Sequence, residues 1–198
     1  MSEFKRLGGK LESRPLHFFL VVDCSGSMCG EKINALNHAI QATIPDLYDI
    51  PDCQLLIRVL QFSTGASWVT SAPVNIEDFT WKDLEAGGGT DLGKALDLLS
   101  AQLTIPPMPD CALPPIIVLI MDGTPTDEYK KSLEELLNLR FGKKAVRVAV
   151  AIGKDANEDM LTEFTGTGEA VLQVNNPQDY CRIFKLCLKY YRFPEYDS

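Results

Sequence analysis

Basic residues are few in this sequence and nowhere form a run. Its 198 residues contain 19 Lys and Arg against 27 Asp and Glu, which gives a formal net charge of −8 at pH 7. Proteins that follow nucleic-acid phosphates or dock on anionic membranes use clustered positive charge. We therefore expect neither nucleic acid nor a membrane as a partner.

Two further features are missing: a long apolar segment and a cysteine motif for metal. Residues 1–14 are polar, and the apolar run Phe18–Val22 is too short for a signal peptide or a membrane span. The six cysteines include no CxxC pair and match no zinc module, and the sequence has no N-x-S/T glycosylation site. Together these absences favour a cytoplasmic protein, which we expect to be monomeric on its own.

Strand and helix patterns alternate along the chain. Near-continuous apolar runs predict buried strands, and apolar residues at every third or fourth position predict helices. The predicted strands are 16–23, 54–62, 66–70, 116–122, 145–152 and 170–174, and the predicted helices are 31–47, 91–103, 128–141, 157–165 and one opening at Asn176-Pro177. The alternation indicates an α/β fold with a doubly wound, mostly parallel six-stranded sheet and helices on both faces. We place this domain at residues 14–192, between tails at 1–13 and 193–198.

Three polar segments follow strands or open helices. Asp23–Ser27 (DCSGS) follows the first strand, Gly88–Asp91 (GGTD) opens a helix, and Asp122-Gly123 follows the apolar run IIVLIM. Open α/β sheets bind ligands at the carboxyl ends of their strands, near the point where strand order reverses. Each segment alone is weak evidence, since Ser and Gly after a strand often cap a helix and Asp-Gly is a common turn. Together, and in this order, they predict one shared site.

The donors of this site are all oxygens, which indicates a hard divalent cation. They are the hydroxyls of Ser25, Ser27 and Thr90 and the carboxylates of Asp23 and Asp122. Such a set selects Mg²⁺, with Mn²⁺ or Ca²⁺ as alternatives, over zinc or copper. If the hydroxyls are direct ligands, the ion stays electrophilic, and an Asp or Glu of a partner protein can complete its coordination. We therefore predict a binding site and no catalytic residues.

The same motifs resemble the metal-ion-dependent adhesion site (MIDAS) of von Willebrand factor type A (VWA) domains. The resemblance rests on Asp23–Met28 (DCSGSM), Gly88–Leu96 (GGTDLGKAL) and Met121–Asp127 (MDGTPTD), and it covers about residues 14–190. It implies a Rossmann-like sheet of order 3-2-1-4-5-6 with one antiparallel edge strand. It also implies three direct hydroxyl ligands, with the two carboxylates binding directly or through water. We further expect a partner-binding rim at Met28, Asp91 and Thr124.

Within that family, residues 14–33 and the later DGTPTD most resemble the bacterial TerY-like branch associated with tellurium resistance. The resemblance implies a non-enzymatic interaction module in a stress-response or phage-defence system. Its expected partners are a Ser/Thr kinase and a PP2C-like phosphatase. An adaptor for a MoxR-like AAA+ ATPase is the alternative, and a metal-dependent hydrolase is a remote one.

Several competing motifs fail at single positions. Ile120 stands where a DxDGT phosphatase carries its nucleophilic Asp, and Ala95 stands where a phosphate-binding loop needs Ser or Thr. His17 begins a strand and His38 lies within a helix, so neither is placed as a general base. Cys29 beside the site is interpreted either as an inert thiol, like Cys24, or as a redox-sensitive one.

Overall fold

The computed structural model describes residues 14–48, 53–176, 179 and 181. Its strands are β1 Pro15–Asp23, β2 Gln54–Ser63, β3 Gly65–Trp68, β4 Val74–Asn75, β5 Ile116–Met121, β6 Val146–Ile152 and β7 Val171–Val174. Its helices are α1 Glu31–Thr43, α2 Leu92–Gln102, α3 Tyr129–Asn138, α4 Arg140–Lys144 and α5 Glu158–Thr165, with 3₁₀ turns at Gly26–Met28, Ile44–Leu47, Ile76–Asp78 and Gly168–Ala170. The sequence thus alternates between strand and helix as its patterns predict.

The strands form one sheet in the order β3-β2-β1-β5-β6-β7. β1 pairs in parallel with β2 on one side and with β5 on the other, and β6 and β7 continue the parallel half. β3 runs antiparallel to β2, which confirms the predicted order and its antiparallel edge strand. The two-residue β4 also pairs antiparallel with β2, and such a short strand carries no sequence pattern. Strand order reverses at β1, so the carboxyl ends of β1 and β5 define the predicted ligand edge.

Two apolar layers cover the two faces of the sheet. Alternate β1 residues such as Phe18 and Leu20 pack with the buried stripe of α1 on one face. Phe19 and Val21 pack with α2, α3 and α5 on the other. The parallel strand β5 is buried along its whole length, as its unbroken apolar run predicts.

Two predicted helices end earlier than their apolar stripes. The helix predicted over 31–47 becomes a 3₁₀ turn at Ile44, because Pro45 lacks the N–H that an α-helix needs. The helix predicted over 128–141 breaks at Leu139, whose backbone is extended. There the chain brings Gly142 against the Leu136 carbonyl oxygen, which a Cβ on residue 142 would approach to 1.8 Å. Only glycine fits this approach.

Other predictions concern the chain ends. The proposed tails and nearly all of the final predicted helix, which opens at Asn176-Pro177, lie outside the described residues. Within residues 14–48 and 53–176, no helix has both the length and the apolar character needed to cross a membrane.

Candidate metal centre

Asp23 anchors the first polar segment at the carboxyl end of β1. Its side chain is fully buried, and its Oδ1 accepts a hydrogen bond of 2.7 Å from the Ser25 backbone N–H. The chain then leaves the sheet through the 3₁₀ turn Gly26–Met28. This short turn faces the Ser25 and Ser27 hydroxyls toward each other, with their oxygens 3.0 Å apart.

Asp122 joins the same cluster from the carboxyl end of β5. The Ser27 hydroxyl donates to Asp122 Oδ1 over 2.6 Å, although the two residues are 95 positions apart. Asp122 is 1% exposed. Parallel pairing of β1 with β5 places the two strand ends side by side, so two buried carboxylates and two hydroxyls form one continuous set of oxygens.

Backbone hydrogen bonds hold the Thr90 loop against both of these segments. Gly87 N–H donates to Cys24 O over 2.7 Å, and Gly26 N–H donates to Gly88 O over 3.0 Å. On the other side, Thr126 N–H donates to Thr90 O, and Thr90 N–H donates to the Thr126 hydroxyl. These bonds use the backbone of Thr90, so its buried hydroxyl is not needed to hold the loop.

Gly88 gives this loop its shape. Its φ of +86° lies in the left-handed region that favours glycine, and a Cβ there would come within 2.6 Å of Thr64 Oγ1. The same Thr64 hydroxyl accepts a 2.9 Å hydrogen bond from Gly89 N–H. The glycine run therefore allows a close approach of the backbone to Thr64 and is not a flexible hinge.

The buried carboxylates make the site electrostatically suited to a cation. Burial raises the pKa of Asp23 to about 6, hydrogen bonds from Ser25 oppose the rise, and the charge of Asp122 adds to it. Asp23 Oδ2 is buried and has no hydrogen-bond partner. A buried carboxylate oxygen without a donor is costly, and a bound cation would satisfy it. The residues present thus fit a hard divalent ion.

A metal at this position would need hydroxyl donors in addition to the carboxylates. Across the described residues, no three His, Cys, Asp or Glu side chains lie together in a way that would hold a metal. The Ser25 and Ser27 hydroxyls lie with the carboxylate of Asp122, and the loop that carries Thr90 is hydrogen-bonded to Cys24 and Gly26 of the same segment. This favours an oxygen-seeking ion over one that needs imidazole or thiolate.

Lys32 is a site residue that the sequence analysis missed. It lies in the first turn of α1, and its Nζ forms a 2.6 Å ion pair with Asp122 Oδ2. The lysine side chain is 37% exposed, whereas the side chain of Asp122 is fully buried. A lysine in the first turn of a helix is a common surface pattern, so the sequence offers no signal for this contact.

The predicted partner-binding rim is corrected at one position. Met28 is 0% exposed and packs in the core beneath the loop, so it cannot contact a partner. Thr124 is exposed. Asp91 is partly exposed, accepts from the Gly65 N–H over 2.8 Å and pairs with Lys94 over 2.6 Å, so its carboxylate also holds the loop.

Of the remaining candidate side chains, the two histidines lie away from the oxygen cluster, Cys24 is buried, and Cys29 is exposed. His17 is buried near the opposite end of β1, and His38 is exposed on α1. Burial raises the pKa of the Cys24 thiol to about 12, which suppresses thiolate chemistry. Cys29 is exposed, and its thiol donates to Ala86 O over 3.1 Å.

Comparison with known proteins assigns the chain to a family. The family model of the von Willebrand factor type A domain matches residues 18–185 of this chain. The chain belongs to the VWA family. VWA domains are typically metal-dependent protein-interaction modules without enzymatic activity. No curated protein matches the chain.

Solved structures with the same fold come from distant proteins. The ArnB paralogue VWA2 of Sulfolobus acidocaldarius has a TM-score of 0.64 and 22% identity over 87% of this chain and 44% of that one. A von Willebrand factor type A protein of Catenulispora acidiphila has a TM-score of 0.70 and 18% identity over 89% and 43%. Proximal thread matrix protein 1 from the mussel byssus, solved with a zinc-occupied MIDAS motif, has a TM-score of 0.68 and 15% identity over 90% and 48%. This VWA chain thus spans less than half the length of each.

Proposed function

We propose that this VWA domain binds Mg²⁺ through Asp23, Ser25, Ser27, Thr90 and Asp122 and uses it to capture an acidic side chain of a partner protein. One observation carries the proposal: the Ser25–Ser27–Asp122 hydrogen-bond chain beside a buried Asp23 oxygen that has no partner. The zinc reported in the MIDAS motif of the mussel byssus protein supports a divalent ion at this place in the fold. Hard oxygen donors favour Mg²⁺ for this chain, with Mn²⁺ or Ca²⁺ as weaker candidates.

A bound ion would supply an open, positively charged position that a carboxylate can occupy. The protein contributes two buried negative charges, neutral hydroxyl donors and a loop fixed by backbone hydrogen bonds. Such preorganisation lowers the cost of binding, because few groups need to be ordered when the partner arrives. It would also let a protein of net charge −8 bind an acidic surface.

For the partner, we propose a Ser/Thr kinase and a PP2C-like phosphatase of a bacterial stress-response system, acting in the cytoplasm. This rests on the TerY-like character of residues 14–33 and of the DGTPTD segment. Pull-downs of such a kinase and phosphatase in Mg²⁺ and in EDTA test it. Recovery should depend on Mg²⁺ and be lost in Thr90→Val; equal recovery in EDTA would contradict the proposal.

Thr90→Val is the sharpest test of the metal site itself. It removes a hydroxyl while keeping the β-branched shape and the backbone hydrogen bonds of the loop. In the wild type, Mg²⁺ at 100 times its Kd should stabilise the fold by about 2.7 kcal/mol. For a domain of this size, that raises the Tm by roughly 5–10 °C. The shift should shrink sharply in Thr90→Val and vanish in Asp23→Ala.

Thr162→Val provides the matched control, because Thr162 is an exposed threonine on α5. It should respond to Mg²⁺ as the wild type does. If Thr90→Val and Asp23→Ala both kept the full Mg²⁺-induced shift, the metal assignment would be wrong.

A further inference from the structure

Lys32 competes for the carboxylate that the proposed metal needs. Its Nζ lies 2.6 Å from Asp122 Oδ2, and the other oxygen of that carboxylate accepts from Ser27. Both oxygens of Asp122 are therefore engaged by donors of this chain. A divalent ion that binds Asp122 directly has to share or replace one of these contacts.

The Lys32 side chain has space to move away from Asp122. Its side chain is 37% exposed, while Asp122 has no exposed side-chain surface, so the carboxylate is fixed and the lysine borders solvent. Lys32 also lines a groove of about 160 Å³ between α1 and the carboxyl ends of β6 and β7, together with Glu31, Gly153 and Asn175. The groove and the solvent beyond it give the long lysine side chain room to move without disturbing the core.

From this geometry, and resting on the metal site proposed above, we infer that Lys32 is a built-in competitor that lowers the affinity of the domain for metal. Without metal, its ammonium neutralises Asp122 and stabilises two buried carboxylates near each other. Metal binding exchanges the ammonium for the ion.

Lys32→Met tests the inference, because methionine keeps the unbranched side chain and removes the charge. Titration with Mg²⁺, and with Mn²⁺ followed by its paramagnetic resonance signal, should show binding on the order of tenfold tighter than in the wild type, since charge-assisted hydrogen bonds are among the strongest that a metal has to displace. Lys32→Arg, which keeps the charge, should stay much closer to the wild type. Lys131→Met is the matched control, because it removes another ion-paired lysine, 3.7 Å from Glu135 on α3, and should leave metal affinity unchanged.

Thermal unfolding separates competition from a purely structural role. In EDTA, Lys32→Met should have a lower Tm than the wild type, because it leaves the buried Asp122 without a cation. In saturating Mg²⁺, the difference should close or reverse. An equal deficit in both conditions would make Lys32 a structural residue and overturn the inference.

The metal titration also distinguishes failure of the Lys32 competition from failure of the metal site. If the wild type binds metal and Lys32→Met binds no more tightly, the competition is refuted and the metal site stands. If neither chain binds metal, the site itself is wrong and the competition falls with it. Binding by Lys32→Met alone would support the competition in its strongest form.

Discussion

Asn37 holds the irregular segment that leads into the Thr90 loop. Residues 79–91 contain no helix or strand, so tertiary contacts must fix them. Asn37, 6% exposed in α1, accepts hydrogen bonds at Oδ1 from Leu84 N–H (2.9 Å) and the Trp81 indole N–H (3.2 Å). Its Nδ2 donates to Leu84 O over 2.9 Å. We predict that Asn37→Ala destabilises the protein and weakens metal binding.

The expected loss follows from these three bonds. A buried intramolecular hydrogen bond contributes about 1 kcal/mol, and donors or acceptors left without partners cost about 1–3 kcal/mol each. Alanine is a better helix former than asparagine by roughly 0.5 kcal/mol, which offsets a small part. The free energy of unfolding should therefore fall by about 3 kcal/mol. Metal affinity should fall as well, because the freed segment continues into the loop that carries Thr90.

Urea unfolding followed by circular dichroism measures this loss. Fluorescence is less suitable, because Trp81 itself contacts the mutated residue. Asn34→Ala is the matched control, since Asn34 is exposed on the same helix and should change stability by less than about 0.5 kcal/mol. A loss below about 1 kcal/mol for Asn37→Ala, or one no larger than for Asn34→Ala, would refute the reasoning.

Two further predictions concern Gly88 in the Thr90 loop and the buried His17 on β1. In urea unfolding, Gly88→Ala should lower the free energy of unfolding by at least about 1–2 kcal/mol, because Gly88 has a positive φ and a Cβ there would contact Thr64. Gly87→Ala is the control and should be tolerated, because nothing lies within 4 Å of the added Cβ. Equal losses would contradict this. Burial, with the charge of Arg58 adding to it, lowers the pKa of His17 from 6.5 to about 4. Folding therefore favours the neutral imidazole. The resulting contribution to the free energy of unfolding, at most about 3 kcal/mol, is complete above pH 6.5 and is lost as the pH falls through 4. Urea unfolding from pH 7 to pH 4 should show a smaller loss for His17→Phe than for the wild type; parallel pH profiles would argue against it.

Much of the fold could be predicted because its signals are local. Apolar runs and helical stripes fixed the order of the elements, and both Asp23 and Asp122 follow apolar strands directly. The start of α5 depends on an equally local contact, because the Asn157 side chain accepts a hydrogen bond from Met160 N–H three residues later. What could not be predicted are features set by contacts between distant segments, such as the break at Leu139, which depends on the close approach of Gly142 to Leu136 O.

The candidate site likewise combines features that could be predicted from the sequence with features set by tertiary contacts. The sequence alone indicated which oxygens could serve a metal, with four of them after strands and Thr90 before a helix, because parallel strands bring their carboxyl ends to one edge of the sheet. Only the tertiary structure decided that Met28 is buried and that Lys32 reaches Asp122. The pattern of a short loop is the same whether its side chains face core or solvent. Which of the two they face, and which partner they meet, depends on packing against distant segments, as in the Lys32–Asp122 contact between residues 90 positions apart.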